Sequence, residues 1–217
     1  MLGLFLVETN FLGMNKMLYG GGYYSMYGGW LLAGGYVDPG LGGGRFVWYA
    51  RALGGREKFE NSDPEGSAYR RYMAGYVKVS AAGGYRFTVR STIYGVLLYN
   101  LVHVEPDWDR SLNPPEGGSI IRPAVRYVYK DIVYGEYLSY GFQSTIEYGP
   151  GVHLNGPGSV HHRSAARAAW HIPAFSSHRA GFLAFGGFGN PPEIFQDRIG
   201  GTIARTLPPR ELVAPRY

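Results

Sequence analysis

An all-β fold is predicted, an antiparallel β-sandwich with extended N- and C-terminal arms and at most one short helix. Three observations predict it. At Val77–Ser80 and again at Tyr85–Arg90 apolar and polar residues alternate with a period of two, the mark of strands with one buried and one wet face. The 217 residues include 34 glycines, each costing about 1 kcal/mol inside a helix. Short strand-like runs recur along the chain between turn residues, with almost no helical periodicity.

The stretch from Gly75 to Asn100 organises the rest. Val77 and Val79 alternate with Lys78 and Ser80, and Tyr85, Phe87 and Val89 with Arg86, Thr88 and Arg90. Ala81-Ala82-Gly83-Gly84 between them has the glycines that a tight reversal needs. Val96 to Tyr99 is a short apolar run. Three antiparallel strands are expected here.

Upstream, residues 1–44 are expected to be a Gly/Tyr-rich N-terminal arm with the first strands. Met17 to Val37 carries no charge but is interrupted by seven glycines and five tyrosines, a composition that argues against a transmembrane helix. The apolar Met1–Val7 has no positive segment before it and Glu8 directly after, so no signal peptide is expected. Arg45 to Ala52 is strand-like, and Gly54 to Ser67 is expected to be an exposed loop. Downstream, Glu105 to Gly118 is a long acidic loop. Ser119 to Lys130 and Ile132 to Tyr148 are strand-like, Ser164 to Trp170 is the one helix candidate, and Phe182 to Phe188 is a buried or interfacial strand. The sandwich is expected over 45–205 and a Pro-rich tail over 206–217, which prolines keep out of a central sheet. Long, unequal loops favour a jelly roll over an up-and-down barrel.

Gly84, Tyr85, Phe87, Val89, Arg90, Ser91, Gly95 and Leu98 form a pattern that resembles jelly-roll carbohydrate-binding modules and capsid-type jelly rolls. The resemblance covers residues 75–100 and implies a sandwich; it carries no ligand residues with it.

The chain lacks cysteine, which excludes disulfides, thiolate catalysis and cysteine-bound zinc. Arginine far outnumbers lysine, which suggests GC-rich coding and a thermophilic source. No phosphate loop, nucleophile elbow or zinc-protease helix is present, so no catalytic residue, cofactor or metal is expected. Three constellations were weighed. His153, His161, His162, His171 and His178 fall close together but match no zinc spacing, and the adjacent pair would point to opposite faces of a strand. Glu105, Asp107 and Asp109 flank Trp108, a solvated acidic loop by preference, with a glycosidase pair or a calcium site as the alternatives. Residues 151–217 carry seven arginines against three acids; Arg163, Arg167 and Arg179 near Trp170 and Phe175 would suit nucleic acid, but subunit contacts are preferred.

Flanking segments too poor in packing to stand alone imply neighbours. The expected function is therefore a structural, self-assembling protein, a virion capsid or coat component. Its arms would lock homo-oligomeric or other subunits through Tyr23, Tyr24, Tyr27, Trp30, Trp108, Arg210 and Tyr217. Contact with lipid or nucleic acid is expected through the basic C-terminal third, and the apolar N-terminal arm is open to lipid. The alternatives are a glycan-binding module and a glycosidase or metal-dependent hydrolase.

Overall fold

The structure, a computed structural model, describes residues 2–25, 29–41, 44–62, 67–105, 111–134, 139–155, 160–175 and 178–190. They form ten strands: β1 (Leu2–Phe11), β2 (Lys16–Tyr24), β3 (Trp30–Leu41), β4 (Phe46–Ser62), β5 (Ala68–Arg86), β6 (Ser91–Glu105), β7 (Gly118–Tyr134), β8 (Ser139–His153), β9 (Val160–Phe175) and β10 (His178–Gly189). Each pairs antiparallel with the next, giving one continuous sheet in the order β1 to β10.

The all-β, antiparallel expectation holds, and the described residues contain no helix. The sandwich does not hold. A sandwich needs two sheets whose apolar faces pack on each other, whereas here each strand's apolar face is shared with both neighbours in a single ladder. The jelly-roll resemblance of residues 75–100 is corrected with it: those residues are parts of two strands of a meander. Ala81–Gly84 makes no turn. β5 runs straight through it for 19 residues, and the reversal comes at 87–90, where Phe87 N donates to the Ser91 carbonyl at 3.0 Å. Gly54 to Ser62, expected in a loop, extends β4 and pairs with β5.

Ser164 to Trp170 is also strand, paired with β8 on one side and β10 on the other. Its alanines and arginine favour helix locally, but two ladders of backbone hydrogen bonds override so short a preference.

The separations between strands sort by end. At one rim they cover 12–15, 42–45, 87–90, 135–138 and 176–177; at the other, 25–29, 63–67, 106–117 and 154–159. Unequal connections, a jelly-roll sign in the sequence, are therefore separations of two to four residues at one rim and five to twelve at the other. At the first short turn Gly13 has φ of 70°, a conformation open to glycine.

Small clusters on one face supply the core. Ala82, Val96 and Ala124 pack with Tyr49 and Tyr94, while Tyr72, Ala74, Val102 and Val104 pack with Phe59 and Tyr76. On this face rings lie flat over glycines directly across the ladder. A Cβ added to Gly84 would stand 2.5 Å from the Tyr94 ring, and one added to Gly151 would stand 2.3 Å from His161 Nε2. Glycine lets a large ring fold down onto the sheet, which explains much of the Gly/Tyr richness.

Candidate functional site: two faces of one sheet

Residues paired across a ladder point to the same side, so register assigns every strand residue to a face. On β6, Thr92, Val96, Val102 and Val104 are buried, while Ile93, Leu97 and His103 between them are exposed. Tyr49 of β4 reaches over β5 and β6 to accept a 2.6 Å hydrogen bond from Arg126 Nη1 of β7. Contact across two intervening strands marks this buried face as the concave one.

The convex face carries an apolar belt. Leu4 and Leu6 of β1, Leu32 of β3, Trp48 of β4, Val77 and Val79 of β5, Leu97 of β6, Val125 of β7, Ile146 of β8, Trp170 of β9 and Phe182 of β10 are all exposed. No charge interrupts it among the described residues; charges stand only at its borders. Glu8, the Lys16–Asp38 pair at 3.4 Å and Asp131, which accepts from Arg90 Nε at 2.9 Å, mark the short-turn border. Arg56, bidentate to Glu105 at 2.6 Å, marks the other.

The border is slanted. Glu8 aligns through Leu18, Tyr36, Ala50 and Ala81 with Leu97 of β6. Asp131 of β7 lies two residues past Tyr129, the partner of Ser91, and so aligns with position 89. The border thus shifts by eight residues, 97 to 89, over the six steps from β1 to β7. At about 3.3 Å per residue and 4.8 Å per step, strands crossing a level belt tilt by roughly 40°. Barrel strands tilt by about 35–45°.

The concave face is basic. Arg51 of β4, Arg70, Lys78 and Arg86 of β5, Arg122, Arg126 and Lys130 of β7, and Arg163 and Arg167 of β9 lie on it, against two carboxylates among the described residues, Glu57 and Glu147. Glu147 is buried between two guanidiniums, accepting from Arg122 Nη2 at 2.8 Å and Arg126 Nε at 2.7 Å. Glu57 accepts from the Tyr23 hydroxyl.

No protein-family model matches the chain, and no curated protein resembles it in sequence. A solved structure shares its fold. The crystal structure of BamA from Haemophilus ducreyi lacking POTRA domains 1–3 superposes with a TM-score of 0.61 at 16% identity, over 92% of this chain and 41% of that one. That is the barrel of an outer-membrane protein. The expectation of a capsid component in a virion falls with the sandwich it was built on.

The residues singled out from sequence scatter. Tyr23 points into the concavity, whereas Tyr24 and Trp30 sit on the convex face. Tyr27, Trp108, Arg210 and Tyr217 lie outside the described residues, as do Asp107 and Asp109. Glu105 is held by Arg56. His161 and His162 do point to opposite faces: His161 is buried in the concavity, and His162 stacks on Tyr148 outside. Among the described residues no three His, Asp or Glu side chains are grouped to hold a metal. Arg163 and Arg167 face inward and Trp170 outward, so they share no nucleic-acid surface. The Arg179 and Phe175 side chains lie outside the described set. The belt was missed although its signal was in the sequence: Leu2, Leu4 and Leu6, then Leu97, Tyr99 and Leu101, each repeat at every second residue.

Proposed function

We propose that the chain sits in a lipid bilayer as the wall of a β-barrel, with its convex face against acyl chains and its concave face against water. The belt carries this reading: an uncharged, exposed, slanted apolar band on one face, with nine cations on the other. No helix among the described residues is long and apolar enough to cross a membrane, a statement that leaves strands untouched. The fold shared with BamA and the sorting of short and long connections to opposite rims support the same arrangement.

A bilayer tolerates no unpaired strand edge. β1 and β10 are the outer strands of the sheet and run antiparallel, so each can complete the other's ladder, within one chain or between two. Closing them sets Phe5 and Val7 of β1 beside Leu183 and Phe185 of β10 on the concave side. Cysteines at Leu4 and Ala184, the centres of the two convex runs, are expected to form a disulfide in membranes. Unchanged mass would place the seam within one chain, and doubled mass between two.

Fluorescence tests the reading itself. Trp30, Trp48 and Trp170 lie on the convex face. In vesicles with brominated acyl chains their emission is expected to be largely quenched; emission equal to that in unbrominated vesicles refutes bilayer insertion.

A further inference from the structure

We infer that the concave face lines a water-filled path selective for small inorganic anions. The inference rests on the bilayer reading above and adds what the wall would pass.

The first observation is an excess of one sign. Among the described residues, nine basic side chains face the concavity against Glu57 and Glu147. Glu147 is shared by Arg122 and Arg126, so even the buried network keeps a net positive charge. The second is exposure: Arg51, Lys78, Lys130 and Arg167 are all exposed on this face. They come from four strands, β4, β5, β7 and β9. In register they spread along the height of the sheet, from the level of Leu98 and Asn100 at Arg51 and Lys78 to beyond Ser91 at Lys130.

Such an excess of one sign is costly to pack dry, because removing charge from water costs several kcal/mol per ion. The concavity therefore holds water and counter-anions. The screening length is about 10 Å at 0.1 M salt, comparable to the radius of a barrel of this kind, so the fields of these side chains overlap across the path. Cations are then depleted and anions enriched along it, as in pores lined by arginine and lysine.

The experiment uses the full chain in planar bilayers under a tenfold KCl gradient, with bromolipid quenching of the same preparation as the check on insertion. The zero-current potential is expected to show chloride preferred over potassium by about threefold or more. The double variant Arg51→Glu/Arg167→Glu touches neither Glu147 nor its partners, and it is expected to bring that ratio to about one or below. Quenched tryptophans with no conductance, with potassium preferred, or with a ratio unmoved by the double variant would overturn this inference and leave the bilayer reading standing. Unquenched tryptophans would overturn both.

Discussion

The two faces of β6 differ most sharply at Val96 and Leu97. Val96 is 5% exposed and Leu97 51%; on β7, Ala124 is 7% exposed and its neighbour Val125 56%. In a water-soluble protein the exposed residues would be the polar ones. Here the convex belt exposes Leu, Val, Ile and aromatics, and the basic side chains lie on the concave side. On the proposed reading the inversion follows from two solvents, hydrocarbon outside and water inside.

The largest expected effect comes from the sheltered face. Glu147→Gln leaves Arg122 and Arg126 without their shared carboxylate, and a loss of about 3–5 kcal/mol is expected from urea unfolding in vesicles. A loss under about 1 kcal/mol would mean that water already solvates both guanidiniums.

Next comes a direct contrast between faces. Leu97→Arg puts a charge in the belt, with an expected cost of about 2–4 kcal/mol, while Leu98→Arg, one residue on and facing the concavity, is expected to cost less than half of that. Equal costs would erase the distinction between the faces.

A smaller contrast concerns glycine. Gly84→Ala drives a methyl into the Tyr94 ring and is expected to cost about 1–3 kcal/mol. Gly83→Ala points outward, where nothing lies within 4 Å, and is expected to change stability by about 0.5 kcal/mol or less.

The smallest effect lies beyond the belt, where β4 and β5 extend past the Arg56–Glu105 pair. There Lys58 at 2.6 Å and Arg71 at 3.0 Å hold Glu60 below the usual carboxylate range. A depressed folded pKa gives stability that is present above the ordinary value and lost as pH falls through the folded one. Glu60→Gln should flatten slightly the acid limb of the stability–pH profile and leave neutral pH nearly unchanged. The effect is small because the pair is solvated.

Strands were legible in the sequence and their assembly was not. Period-two alternation marked β5 at Tyr76–Val79 and Tyr85–Arg86, and the apolar run Val96–Tyr99 marked β6. Gly83-Gly84, however, has the composition of a turn, and only the ring of Tyr94 across the ladder shows why glycine is needed mid-strand. Ser164–Trp170 looked helical because alanine carries no sign of which neighbours it will have. The larger error concerned orientation. Alternation tells that one face is apolar, and the ordinary inference buries that face. Nothing in Val77, Val79 or Leu97 alone distinguishes a core from a lipid contact. The distinction lies in the opposite face, where nine basic side chains stand against two carboxylates among the described residues, an excess too large for a dry interior.

The most direct measurement is a nitroxide scan along β6, from Thr92 to Val102, in reconstituted vesicles. The account predicts that positions 93, 95, 97, 99 and 101 collide with oxygen dissolved in lipid and are shielded from a water-soluble nickel complex, with the even positions lacking that lipid signature. Nickel access at the odd positions, or no alternation at all, would contradict it.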